Sequence, residues 1–153
     1  MDCRLDTPLG GMLLRERDGA VSALRFLAAG EGETLPSPET ELARRAQNWL
    51  NRYFGGERPW MDLPLAPEGT AFQRRVWEAA REIPVGETRS YGQLASRVGC
   101  RSARAVGAAL GKNPVWILIP CHRVVGADGA LTGYAGGLSI KAALLAMEKS
   151  WSR

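Results

Sequence analysis

The sequence predicts an α+β protein. It has a small N-terminal α/β hairpin-plus-helix domain (residues 1–62), a linker (63–69) and a mainly helical C-terminal domain with a helix-turn-helix (70–153). Three observations carry this. Two apolar-rich runs flank an Asp18-Gly19 turn, helical periodicity with capping signals dominates after Thr70, and two prolines and a glycine interrupt the chain between them.

The elements follow in order. Residues 12–17 and 20–26 are the hairpin strands, because Asp-Gly supplies the positive φ that a tight hairpin turn demands. Residues 28–38, rich in Gly, Glu and Pro, form a loop. Residues 39–54 form a helix whose stripe is Leu42, Ala46, Trp49, Leu50 and Tyr53, stopped by Gly55-Gly56. Thr70 with Gln73 is a capping box, and Phe72, Val76, Trp77 and Ala80 give the helix after it an apolar face, with Pro84 and Gly86 beyond its end. Ser90 with Gln93 is a second capping box, opening a short helix to about Val98. Residues 99–101 turn the chain, and Ser102 caps a helix to about Gly111. Residues 115–119 read as a buried extended run ending at Pro120. A glycine-rich loop (126–137) and a last helix (139–149) complete the chain.

Hydrophobic residues make up 45% and charged residues 24%, which fits a soluble globular chain. No apolar run approaches the ~18–20 residues that span a bilayer, so no membrane partner is expected. The N-terminus carries no signal-peptide pattern, and the expected location is the cytoplasm. Cys3, Cys100 and Cys121 are an odd, sparse set without a CxxC pair, and His122 is the single histidine. Neither a disulfide framework nor a tetrahedral zinc site is expected, and no cofactor is implied. Charge is uneven. Through Gly69 there are eight Lys/Arg against eleven Asp/Glu, and from Thr70 onward twelve against five. The second half suits a polyanion, although a scattered basic surface gives the same count.

Residues 90–112 have the helix-turn-helix pattern, whose second helix commonly enters a DNA groove. That helix is rich in small residues, among them Ala103 and Gly107, with Arg104 the long side chain of its first turn. Small residues suit close approach to a ligand and close packing of two helices equally. Pro120-Cys121-His122-Arg123 follows. A thiol with pKa ~8.5 needs a base or a positive field to become a nucleophile. In extended backbone the side chains of Cys121 and His122 would point apart, so contact needs an unusual turn or one bridging water. Glu148, bordering the apolar face of the last helix, is the candidate for fixing the imidazole tautomer.

The stretches Gly111-Lys112-Asn113-Pro114, then residues 117–125 around Pro120-Cys121-His122-Arg123, then Gly133-Tyr134-Ala135-Gly136-Gly137-Leu138 together resemble the O6-alkylguanine-DNA alkyltransferase family. The resemblance spans residues 70–149 and holds only in outline before that. It implies direct repair of double-stranded DNA containing O6-alkylguanine, with O4-alkylthymine as a further substrate, by irreversible transfer of the alkyl group to Cys121 in a single turnover. It further implies a water between Cys121 and His122, with Glu148 polarising the imidazole and Asn113 organising the surrounding turns. Tyr91 is expected to give a proton to the leaving guanine. Arg104 is expected to fill the stack vacated by a flipped base, with Ser102, Ala103 and Gly107 against the DNA minor groove. Arg123 orders the structure beneath the site. Backbone groups of Cys121 and Val124 read the guanine edge, and Tyr134, Ala135 and Gly136 close over it. A monomer is implied, with cooperative assembly along DNA left open. Two positions depart from relatives. Ala135 replaces a serine, and Trp116 replaces a smaller residue beside the pocket, so the alkyl-size preference stays open.

A damage sensor without a nucleophile conflicts with the presence of Cys121. A helix-turn-helix regulator has no use for a Cys-His-Glu set, and a small-molecule cysteine hydrolase leaves Arg104 unexplained.

Overall fold

The computed structural model describes residues 1–132, 134 and 137–151, and divides into two compact units, Met1–Pro67 and Glu68–Arg153. The first holds a three-stranded antiparallel sheet, β1 (Asp2–Thr7), β2 (Gly10–Arg17) and β3 (Ala20–Phe26), in the order β1-β2-β3. The predicted hairpin is β2–β3. Asp18 (φ 53°) and Gly19 (φ 79°) both lie in the left-handed region, as a two-residue hairpin turn requires. Strand β1 adds to the expected hairpin and pairs with β2 from Asp2↔Arg15 to Thr7↔Gly10, with Cys3 and Leu5 turned inward. Helix α1 (Glu41–Phe54) begins at Thr40, whose hydroxyl accepts from Ala43 N–H at 3.0 Å. It packs on β1 and β2 through the expected stripe Leu42, Ala46, Trp49, Leu50 and Tyr53, all buried. Each such large side chain contributes about 1.5–3 kcal/mol.

Part of the stretch expected as a linker, 63–69, packs on the first unit. Leu63 is buried, Val21 N–H donates to Pro64 O, and Ala66 N–H donates to Val21 O, both at 2.8 Å. The chain therefore serves as an extra edge partner for β3 through Ala66, because β3 would otherwise leave these backbone groups unpaired.

The second unit packs α2 (Ala71–Arg81), α3 (Tyr91–Arg97) and α4 (Ala103–Gly111) against one another. Both predicted capping boxes close, Thr70 with Gln73 and Ser90 with Gln93. Trp77 is buried, and its Nε1 donates to Ala109 O at 2.8 Å, which ties α2 to α4. A two-residue strand β4 (Arg89–Ser90) pairs in parallel with β5 (Val124–Val125), fixing the start of α3 beside the chain that leaves Cys121. Helix α5 (Leu138–Trp151) follows and packs on the turn at Cys121–Arg123.

Val115 and residues 117–119 are buried, as expected, with Trp116 half-buried, but the run is not extended. Ile119 N–H donates to Val115 O at 3.1 Å, and Leu118 N–H reaches back to Trp116 O at 2.8 Å around Ile117, whose φ is 70°. Positive φ at a β-branched residue costs roughly 1–3 kcal/mol. Pro120 (φ −81°, ψ 61°) then makes an inverse γ-turn, with Cys121 N–H on Ile119 O at 2.8 Å. The side chain of Asn113 explains why the chain coils here. Its Oδ1 accepts from Val115 N–H at 2.9 Å and its Nδ2 donates to Ile119 O at 3.1 Å, so a buried amide replaces the ladder that a strand would need.

Candidate active site

The coiling delivers Cys121 into a short 3-10 turn, Cys121–Arg123, in which all three residues are buried. Cys121 lines a pocket of about 300 Å³ with Tyr91, Gly107, Asn113, Trp116 and Tyr134. Asn113 Nδ2 lies 3.0 Å from Cys121 Sγ and donates to it. Burial pushes the thiol up to about 12, opposed by the Asn113 bond and by the charge of Lys141. A thiolate here must be made by a neighbouring base rather than by equilibration with water.

His122 follows Cys121 in the same turn. It is fully buried, and burial lowers its pKa against the opposing pull of Glu148. Its Nε2 lies 2.7 Å from Glu148 Oε2. Burial would raise Glu148, but bonds from His122 and Arg123 outweigh it and hold the carboxyl down at about 2. An ionised carboxylate only accepts, so Nε2 carries the proton and Nδ1 of the neutral ring carries a lone pair. Among the described residues, Nδ1 is buried with no hydrogen-bond partner. It is therefore poised to accept a proton.

Arg123 lies beneath the site, as expected. Its Nε and one terminal nitrogen donate to Glu148 at 2.8 and 3.0 Å, and the other terminal nitrogen donates to Ile83 O at 2.7 Å. The resulting His122–Glu148–Arg123 cluster keeps its charges paired, which a buried ion pair requires.

Trp116 is set by its Nε1 bond to Asn113 O at 3.1 Å, and its ring lies 5.9 Å from that of Tyr134. Tyr134 is oriented edge-on to His122, with ring centroids 6.4 Å apart. Tyr91 reaches the pocket from the first turn of α3, and its hydroxyl donates to Thr132 O at 3.1 Å. Val124 is buried in β5, does not line the pocket, and has its N–H bonded to Cys121 O. Ala135 and Gly136 lie outside the described residues.

Ser102, Ala103 and Arg104 form an exposed edge at the start of α4, with Ser102 Oγ accepting from Ala105 N–H at 3.0 Å. Gly107 is half-buried where α4 meets the pocket, and a methyl group there would touch the Tyr91 ring at 3.7 Å. Arg101, Arg104 and Lys112 are exposed and, among the described residues, pair with no acid. Several other arginines are paired locally, as in Arg15–Asp2, Arg25–Glu31, Arg89–Glu87 and Arg97–Glu82.

Sequence reasoning missed Lys141. It is fully buried beside this pocket, with Nζ donating to Thr132 O at 2.7 Å. The signal was present. Lys141, Leu144 and Glu148 fall at the i, i+3, i+7 positions of one helix face, and a lysine on an inward stripe calls for a reason. Among the described residues, no three His, Cys, Asp or Glu side chains gather as a metal site.

By class, this is a protein with a buried thiol beside the second helix of a helix-turn-helix. Residues 71–150 match the family described as "6-O-methylguanine DNA methyltransferase, DNA binding domain". The chain is 44% identical over 149 residues to the methylated-DNA–protein-cysteine methyltransferase of Methanosarcina acetivorans, covering 95% of this chain and 96% of that protein. Against the protein of the same name from Mycobacterium bovis, identity is 46% over 149 residues, covering 95% and 90%. The crystal structure of Mycobacterium tuberculosis OGT in complex with DNA superposes with a TM-score of 0.87 at 45% identity, covering 99% of this chain and 94% of that one. The chain belongs to the methylated-DNA–protein-cysteine methyltransferase family.

Proposed function

We propose that this methyltransferase repairs DNA directly, by moving the alkyl group of O6-alkylguanine in duplex DNA, and of O4-alkylthymine by the same chemistry, onto Cys121. The observation that carries the reading is the buried line from Asn113 and Cys121 to the proton-accepting His122 and its Glu148–Arg123 support. The thiol proton passes through one water to His122 Nδ1, and Glu148 stabilises the imidazolium. Cys121 Sγ attacks the alkyl carbon in line, the C–O6 bond breaks, and its electron pair stays on the base. A guanine anion leaves poorly, and the hydroxyl of Tyr91 donates its proton to the ring as charge develops. The product is a thioether, which thiol exchange does not reverse, so each molecule acts once.

The alkyl carbon is reachable only when the base leaves the helix. Arg104 occupies the vacated stack, and Ala103 with Gly107 lets α4 lie close in the minor groove. The uncompensated cations Arg101, Arg104 and Lys112 hold the phosphates. Trp116 and Tyr134 flank the base from the pocket side. The molecule works in the cytoplasm as a monomer, its units corresponding to an N-terminal domain and a DNA-binding, alkyl-accepting C-terminal domain.

The test is mass mapping after mixing the protein with duplex DNA carrying O6-methylguanine. One methyl on the Cys121 peptide at one repair per molecule is expected. Repeated turnover, or tight binding without an adduct, overturns the reading. Cys121→Ser is expected to abolish transfer while leaving duplex affinity largely intact, and a Ser variant that still repairs would move the nucleophile elsewhere.

A further inference from the structure

Among the described residues, two buried side-chain polar atoms have no hydrogen-bond partner, Nδ1 of His122 and the hydroxyl of Tyr134. An unsatisfied buried polar atom is costly, and native structures hold few of them. Here both belong to one site. Tyr134 stands edge-on to the imidazole, with ring centroids 6.4 Å apart, and it lines the pocket together with Cys121. Its ring also meets that of Trp116 at 5.9 Å. Burial, with the charges of Cys121 and Glu148, pushes the phenol up and keeps it neutral. A neutral phenol both donates and accepts. The proton relay from Cys121 to His122 needs a water that touches Sγ and Nδ1. A buried water is commonly held by about three hydrogen bonds, and those two atoms supply two. The other polar groups nearby are engaged. Asn113 Nδ2 serves Ile119 O and Cys121 Sγ, the Glu148 oxygens serve His122 and Arg123, and the Tyr91 hydroxyl is on Thr132 O. The Tyr134 hydroxyl is the third partner at hand.

We propose that Tyr134 is a positioning residue whose hydroxyl fixes the water through which Cys121 gives up its proton to His122. The inference rests on the water relay of the proposed function. The thiol gives its proton to the water oxygen, the water passes one of its own to Nδ1, and the phenol keeps its proton throughout. A water thus stands between thiolate and imidazolium after the transfer, still held by the hydroxyl. The titratable and charged groups facing this point are Cys121, His122 and Arg123 of the 3-10 turn and Lys141 and Glu148 of α5.

The experiment is alkylation of Cys121 by iodoacetamide, which reads thiolate formation with no base in the pocket. Mass mapping of the Cys121 peptide gives the rate from about pH 6 to 9 for the native full chain, Tyr134→Phe, His122→Ala and the double variant. The native rate is expected to level off once His122 is neutral. Tyr134→Phe keeps the ring against Trp116 and His122 and removes only the hydroxyl. It is expected to slow alkylation roughly tenfold, the worth of one hydrogen bond. It is also expected to turn the plateau into a rise of about tenfold per pH unit, as for a thiol that ionises unassisted. In the His122→Ala background the Phe change is expected to add little, whereas lost packing slows both backgrounds alike. A Phe variant with the native rate and plateau, or equal slowing in both backgrounds, overturns the inference. So does slowing on lesion duplex with an unchanged iodoacetamide rate, which assigns the hydroxyl to the base instead. Tyr134→Leu carries the same test should the Phe variant fold poorly. A native chain that shows the plateau but takes no methyl from lesion duplex fails the proposed function, while the Phe comparison still decides the inference.

Discussion

At the residue scale, Asn113 joins fold to chemistry through one amide. Its oxygen accepts from Val115 N–H, and its nitrogen serves both Ile119 O and Cys121 Sγ. Asn113→Asp keeps the acceptor for Val115 but removes the donor and sets a carboxylate against the sulfur. The expected result is a folded protein whose methyl transfer is slowed by roughly 10²-fold, the usual loss for a single preorganised donor. Single-turnover rates alongside the far-UV spectrum check it, and an unchanged rate would remove Asn113 from the chemistry. Trp116 bears on a different property. It fills one wall of the pocket against Tyr134. Trp116→Ala is expected to raise the ratio of benzyl to methyl transfer by roughly tenfold or more, since even a methylene of pocket space is worth about that much. Competition between the two lesions in one reaction reads the ratio directly, and an unchanged ratio sinks the idea.

At the element scale, α4 is flanked by Arg101 before its cap and Lys112 after its last turn, both exposed and, among the described residues, without an acidic partner. A cation that contacts phosphate releases counterions on binding, so each lost contact lowers the slope of log K against log salt by about 0.9. Arg101→Ala and Lys112→Ala are each expected to reduce the slope by about that amount, equally on damaged and undamaged duplex. A loss confined to damaged DNA would mean these side chains read the lesion rather than the backbone. The start of α4 was legible in the sequence because Ser102 caps it, just as Thr70 with Gln73 and Ser90 with Gln93 announce α2 and α3. These signals are local, and local hydrogen bonds decide them. Strand β1 was less legible, since only Cys3 and Leu5 alternate inward over six residues. The β4–β5 pairing and the coil at 115–119 were not legible at all. The first joins residues about thirty-five positions apart. The second depends on a buried asparagine overriding the β propensity of Val and Ile. The site residues were recognised through a family pattern, and Lys141, which that reading did not include, emerged only from packing.

At the scale of the whole molecule, stability should respond to acid in a particular way, because the single histidine of the chain is fully buried. The folded pKa of His122 is depressed, so between that value and the unfolded value of ~6.5 the unfolded chain binds the proton that the folded chain refuses. Stability therefore falls as pH drops below about 6.5. Glu148 acts with the same sign in a lower window. Its folded pKa of about 2 lies below the ordinary glutamate value of 4.5, so its contribution is present above that value and is lost as pH falls toward the folded one. Two acid-sensitive groups in one cluster predict a continuous decline from near-neutral pH downward, with no gain in either window. Urea unfolding of the native chain at stepped pH should show it. Glu148→Gln should lower stability at neutral pH by about 3–5 kcal/mol, because the buried Arg123 loses its counter-charge. It should also flatten the slope in the lower window, since an amide takes up no proton there. If the native and Gln proteins decline in parallel through that window, the carboxylate is not the titrating group and the ion-paired cluster does not govern acid stability.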